Sequence, residues 1–213
     1  PGQAGIAVAR ADGTPLRPVF HLRNVVQDAG LRLVCAAPDE GLTLTLDFGV
    51  DAGSGVITCQ TTLEAAQPVR LHWLAAPVVP APQPSTEMID VSGRWCGEFQ
   101  LNRTPWRAGI HARDNRTGRT GHEHFPGLLI PTTGTTNTQG TCYGFHYGWS
   151  GGHTMIAEEL QDGRRQVQWG HAAGTQDAPA TQFQTAPLYL TYSDTGLNGC
   201  AVSFQRHLRD RIV

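Results

Sequence analysis

The sequence predicts an antiparallel all-β sandwich, and three observations carry that prediction. Apolar and polar residues alternate with period two over much of the chain. The alternating runs are punctuated by Asp-Gly and Gly-rich turns, and no helical periodicity intervenes between them until the last segment. With 213 residues the chain can form one large β domain or two small ones with a sizeable core.

Taken in order, Asp12-Gly13 marks the first turn, and Leu31, Leu33 and Cys35 mark a strand after it. Leu42, Leu44, Leu46 and Phe48 fall on one face, with Thr43, Thr45 and Asp47 on the other. DAGSG (51–55) reads as a hairpin turn, and the return run sets Ile57, Cys59, Thr61 and Leu63 on one side. After Gln67 and Pro68 the alternation resumes with Val69, Leu71 and Trp73. Four prolines between Ala75 and Pro84 cannot donate to a ladder, so this stretch is expected to cross between sheets. Ser92 to Phe99 is strand-like around Trp95.

Arg103 to Arg119 is polar and rich in arginine, with Asp114 as its local acid. It is expected to be a solvated loop or an interface with another domain; spare guanidinium groups facing an anion are the alternative. TCYGFHYGWSGGH (141–153) places Tyr143, Phe145 and Tyr147 on one strand face and Cys142, Gly144 and His146 on the other. The second face is nearly empty, so another backbone can close on it. WSGGH then forms a turn from which Trp149 and His153 are expected to project. Asp162-Gly163 signals a hairpin leading to the alternating Val167 and Trp169, His171 to Thr185 reads as a loop, and Leu188, Leu190 and Tyr192 form a last strand. Ala201, Phe204, Leu208 and Ile212 then follow helical spacing, with Asn198 as the expected cap and Arg206, Arg209 and Arg211 near the C-terminal end.

Several function classes are disfavoured. A formal charge of −2 and the absence of any basic run with interleaved aromatics argue against nucleic acid or an anionic membrane as partner. All 16 cationic residues are arginine, from which no function follows. The five cysteines (Cys35, Cys59, Cys96, Cys142, Cys200) are odd in number and widely spaced, unlike a disulfide framework or structural zinc site. Each is expected in the core, and the cytoplasm is the expected compartment. The sequons at Asn102 and Asn115 are short enough to arise by chance. No apolar run resembles a signal peptide or membrane span, although a chain opening on Pro1 is compatible with a signal already removed. His122 and His124 would share a face on a strand, but a metal would need His111, His146 or His153 as well, so no metal and no cofactor is expected.

Six motifs in sequence order carry a resemblance to a known family. They are SGRWCGEF (92–99), the Arg113–Arg119 segment followed by His122 and Pro126, and CYGFHYGWSGGH (142–153). QDGRRQVQWG (161–170), YSDTGLNG (192–199) and FQRHLR (204–209) complete the series. Together they resemble the N-terminal β domain of glycoside hydrolase family 36 α-galactosidases. Upstream of residue 90 the likeness is limited to strand pattern and the proline-rich LAAPVVPAP. Two family features are missing: DAPATQFQT stands where a Pro-Gly-Glu turn is usual, and PGQAG does not match the early loop that in some members reaches a neighbouring subunit.

The resemblance implies an antiparallel β-supersandwich of galactose-mutarotase-like architecture over 1–195. It also implies a linker helix over 196–213, leading toward a catalytic (β/α)₈ barrel. Retaining glycosidases need two carboxyl groups about 5–5.5 Å apart, which in this family lie on the barrel, itself about 250 residues long. The chain is therefore expected to hold no catalytic residue of its own. Its expected role is to pack on the barrel, shape the active-site rim and support a homo-oligomer, with an α-galactoside reaching it only through the whole enzyme. Trp149, His153, Trp95 and Arg119 are the candidates for carbohydrate contact or the barrel interface. An autonomous carbohydrate-binding module, with Trp149 and Tyr147 as stacking platforms, is the alternative. Mutarotase-like acid–base catalysis by His146, His153, Glu123 or Glu158 is a third reading, resting on fold alone.

Overall fold

In the computed structural model, which describes residues 2–176 and 178–213, the alternating runs pair into two antiparallel sheets. The strands are β1 (Ile6–Arg10), β2 (His21–Gln27), β3 (Leu31–Ala37), β4 (Leu42–Asp51), β5 (Val56–Leu74), β6 (Val79–Pro80), β7 (Glu87–Arg94) and β8 (Gly97–Pro105). They continue as β9 (Gly109–Asn115), β10 (His124–Pro131), β11 (Cys142–Tyr147), β12 (His153–Glu159), β13 (Arg165–His171), β14 (Ala180–Gln184) and β15 (Leu188–Ser193). Helix α1 (Leu197–His207) follows, extended by a π-helical turn over Leu208–Ile212. Among the described residues the larger sheet has the order β2-β3-β4-β5-β15-β11-β10-β7-β8, with β1 and β14 also pairing with β5. The smaller sheet has the order β6-β13-β12-β9. This is an antiparallel β-supersandwich with one C-terminal helix.

The β4–β5 hairpin turns at 52–55 as its sequence dictates, and Asp51 fastens the turn by accepting from Ser54 Oγ (2.6 Å) and Gly53 N (3.2 Å). β5 runs on through Pro68 for 19 residues. The β14 register shifts between Ala180, opposite Val69, and Gln182, opposite Glu64, so the missing proline donor falls in an irregularity. The proline-rich stretch crosses between sheets: β6 joins the smaller sheet through Val79 and Pro80 before β7 returns to the larger one.

The main core lies between the sheets, where Phe145 stacks on Trp169 with ring centroids 5.6 Å apart. Tyr147, Met155, Val167, Leu188, Ile130 and Met88 close around them. A second cluster, built on Val8, Leu42, Leu63, Val69 and Phe183, fills the space beneath β1, β4, β5 and β14. Fully burying a side chain of this kind contributes about 1.5–3 kcal/mol.

Several expectations are corrected. Ser92–Phe99 is not one strand: β7 and β8 turn back through Trp95 and Cys96, which form the hairpin tip. The 103–119 stretch is largely strand, because β8 reaches Pro105 and β9 spans Gly109–Asn115. Three of its arginines are paired: Arg103 with Glu87 and Arg113 with Asp90 (2.8 Å) across strands, and Arg116 locally with Asp114 (2.6 Å). These strands carry polar groups on both faces, which erases the alternation signal. The 171–185 stretch contains β14, anchored by Phe183 alone; Asp177, within it, lies outside the described residues. Helix α1 is capped by Gly196 (φ 79°), with Asn198 inside the first turn. Cys96 is exposed and Cys35 only half-buried, so three of the five cysteines are core residues.

Candidate functional site

The glycine–aromatic strand β11 organises the outer surface. Its inner face sends Phe145 and Tyr147 into the core. On its outer face Gly144 leaves room for α1: a Cβ there would lie 2.9 Å from both Phe204 and Thr191. The nearly empty face expected from the sequence is therefore closed by the chain's own helix. Gly144→Val is expected to lift the helix and cost about 1–3 kcal/mol. Thermal melts check it: an unchanged Tm would show that the helix does not rest on β11.

Of the stripe its spacing suggested, only Phe204 faces the sheet. Ala201, Leu208 and Ile212 are exposed, while Cys200, Phe204 and His207 face the sheet. At the far end His207 Nδ1 lies 3.1 Å from Asp51 Oδ2, and Arg211 donates to Asp51 Oδ1 at 3.1 Å. Ser54, His207 and Arg211 together hold the Asp51 carboxyl far below its ordinary value of 3.8. A depressed carboxylate stabilises the fold above its unfolded pKa, and that contribution is lost as pH falls through the native value. The α1 latch is thus complete at neutral pH and loosens below about pH 4. Asp51→Asn should raise amide exchange in Cys200–Ile212 at pH 7 and flatten its acid dependence; exchange identical to the parent at both pH values would remove the latch.

A ridge of rings extends from α1 to the sheet edge. His146 lies 6.3 Å from Phe204 and 5.2 Å from Phe125, and Phe125 lies 5.5 Å from Phe99. Burial, helped by His153, lowers the pKa of His146 and keeps it a neutral ring at pH 7. Phe99 is 69% exposed and Trp95 76% exposed. Cys96 and Phe99 both take left-handed backbone (φ 61° and 56°), a conformation that costs about 1–2 kcal/mol in a non-glycine residue. Phe99 thus holds an exposed apolar ring on strained backbone, and Cys96 a strained position beside the exposed Trp95.

The 116–123 loop gathers three of the four predicted site residues. His122 meets Trp95 edge-on at 5.7 Å and lies 3.4 Å from Glu98. The N–H groups of Glu98 itself and of Cys96, with His122 nearby, hold the Glu98 carboxyl below its ordinary value. Two residues earlier, Thr120 N–H donates to Ser150 O (2.5 Å), seating the loop on the Trp149 turn. Arg119 is exposed in the same loop, its carbonyl accepting from Asn115 Nδ2 and Thr117 Oγ1 (both 2.8 Å). Trp149 is half-exposed and edge-on to His171 at 4.8 Å. His153 departs from expectation: it is 1% exposed, its Nδ1 3.3 Å from Gly151 O, and burial lowers its pKa. It supports the turn from beneath.

The alternative chemistries find less support. Tyr147 is fully buried, its hydroxyl accepting from Ala186 N–H at 3.2 Å, so it offers no stacking platform beside Trp149. Glu158 accepts from Gln3 N–H (2.6 Å) and Gln166 Nε2 (2.7 Å), whereas His146 sits among rings on the outer face. His122 precedes β10 and His124 begins it, so the two do not share a strand face. Among the described residues no three His, Cys, Asp or Glu side chains are placed to hold a metal ion. Asn102 and Asn115 spend their amides on Ser92 Oγ and Arg119 O. Sequence reasoning missed Phe99, Phe125 and the Asp51 latch. The first two lie in polar surroundings without alternation, and Asp51 reads locally as a turn residue.

The fold is thus an antiparallel β-supersandwich with exposed aromatic rings and one C-terminal helix. The chain matches the family model of the glycosyl hydrolase family 36 N-terminal domain over residues 3–176, and it belongs to that family. It is 38% identical over 211 residues to an alpha-galactosidase of Escherichia coli, covering 95% of this chain and 29% of that protein. It is 28% identical over 209 residues to alpha-galactosidase AgaA of Geobacillus stearothermophilus, covering 96% of this chain and 28% of that one. In structure it is similar to the galactosidase domain of the alpha-galactosidase-sucrose kinase AgaSK, with TM-score 0.86 and 22% identity over 98% of this chain and 32% of the other. Geobacillus AgaA in complex with raffinose also superposes at TM-score 0.86, with 22% identity over 95% of this chain and 32% of that chain. The chain spans about 29% of the Escherichia coli relative's length. No helix among the described residues is long and apolar enough to cross a membrane.

Proposed function

We propose that these 213 residues serve as the non-catalytic N-terminal domain of an α-galactosidase-like retaining glycoside hydrolase. The domain packs on the catalytic barrel of the same polypeptide, shapes the rim of its active site and supports a homo-oligomer. The exposed ridge of Trp95, Phe99 and Phe125 carries this reading, because it turns apolar rings outward, Phe99 on strained backbone, on the same side of the sheet as the C-terminal helix. The buried carboxylates are engaged in structural pairs, Asp90 with Arg113 and Glu158 with Gln166.

The isolated chain is expected to give no turnover of 4-nitrophenyl α-galactoside, and clear turnover would overturn the reading. Exchanged for the matching region of the Escherichia coli relative, it is expected to support α-galactosidase activity. Phe99→Asp should then reduce that activity while the isolated domain keeps its circular dichroism spectrum. Full activity with Phe99→Asp would count against docking through the ridge.

A further inference from the structure

The smaller sheet ends at β6, which is two residues long, so the inner face of the larger sheet runs on beyond it without a covering strand. There a cleft of about 540 Å³ opens between that face and the 79–83 crossover. Ile57 and Leu190 form its floor, Pro82 and Gln83 its wall, and Tyr143 and Tyr192 its mouth. The two tyrosines are direct cross-strand partners, their rings 5.3 Å apart at 63°, and Tyr192 is 55% exposed.

Three properties define what such a cleft can take. Its volume falls within the range of about 300–1,000 Å³ usual for small-molecule sites. None of its lining residues is charged, which suits a neutral ligand over an anion or cation. Its mouth pairs aromatic faces with phenolic hydroxyls, and Gln83 adds an amide that can both donate and accept. A neutral ring with one apolar face and a hydroxylated edge meets all three. Galactose presents such a face, since its axial C4 hydroxyl leaves the C3, C4 and C5 hydrogens together on the other side, which the equatorial C4 hydroxyl of glucose does not.

We propose that this cleft is a galactopyranoside-binding site in which Tyr192 supplies the stacking face and Gln83 meets the ring hydroxyls. The preference for galactose over other hexoses rests on the family reading; the site itself does not. It opens on the face of β11 opposite α1, so it is separate from the docking ridge.

The test is a titration of the 213-residue chain with methyl α-D-galactopyranoside and, separately, methyl α-D-glucopyranoside, followed by saturation-transfer NMR and calorimetry. The galactoside is expected to bind saturably with Kd on the order of 1 mM, and Tyr192→Ala to weaken it at least about tenfold. Tyr192→Phe, which keeps the ring, and Trp149→Ala, which lies elsewhere, should each bind within about twofold of the parent. No saturation by about 50 mM galactoside, or equal binding by Tyr192→Ala, overturns the site. Equal affinity for the glucoside overturns the assignment of the sugar. Activity of the exchanged enzyme bears only on the docking role, so the two readings fail separately.

Discussion

Trp169→Ala is expected to destabilise the chain by about 3–5 kcal/mol. Trp169 is fully buried on β13, and its ring stacks on Phe145 across the gap between the sheets. Truncation would remove a stacking contact between β11 and the smaller sheet and leave a cavity bounded by Val167, Met155 and Tyr147, which cannot collapse without moving strands. The indole N–H is buried without a hydrogen-bond partner among the described residues, so its presence carries a desolvation cost. Trp169→Phe should therefore cost much less, within about 1–2 kcal/mol, because it removes the unsatisfied donor along with part of the ring. Urea titrations of both variants measure this, and an alanine variant no worse than the phenylalanine variant would contradict the packing argument.

Asp90→Ala is expected to cost about 2–3 kcal/mol. Asp90 lies on β7 in the larger sheet and reaches across to β9 of the smaller one, where Arg113 Nε donates at 2.8 Å and His111 Nε2 lies 3.3 Å away. Its side chain is 4% exposed, whereas that of Arg113 is 30% exposed. Solvent can therefore reach the guanidinium left behind, which keeps the cost below that of breaking a fully buried pair. Burial pushes the Asp90 carboxyl up, but the His111 contact and the Arg113 charge outweigh it and hold the group below its ordinary value of 3.8. The stabilisation is accordingly present above the unfolded carboxylate pKa and is lost as pH falls below it. Asp90→Asn should show a smaller loss of stability between pH 6 and pH 3 than the parent does. An equal loss in both would place the acid sensitivity elsewhere.

How much was legible varied with the kind of signal. The β4–β5 hairpin, the β12–β13 hairpin at Asp162-Gly163 and the proline crossover were readable because alternation, turn chemistry and the missing proline donor are local properties. β9 and β14 were not: β9 sits at a sheet edge with polar side chains on both faces, and β14 is held by a single buried phenylalanine. The helix was found, but of its expected stripe only Phe204 faces inward, where Cys200 and His207 join it. Cys200 fits because Gly144 leaves a shallow surface, and His207 is buried because Asp51, more than 150 residues earlier, partners it. Three candidate residues, Trp95, Arg119 and Trp149, were individually visible, but the loop that gathers them was not.

The sequence by itself determined the fold class, the main hairpins and membership of the family, since these follow from periodicity, turn residues and ordered motifs. Tertiary structure alone decided which side chains are buried and which are exposed. Tyr143 and Tyr147 lie on the same strand and the same face, yet Tyr147 is wholly enclosed while Tyr143 borders an open cleft. The difference is where the opposite sheet stops. Alternation tells a strand which side chains share a face; only the packed neighbour determines whether that face is core or surface.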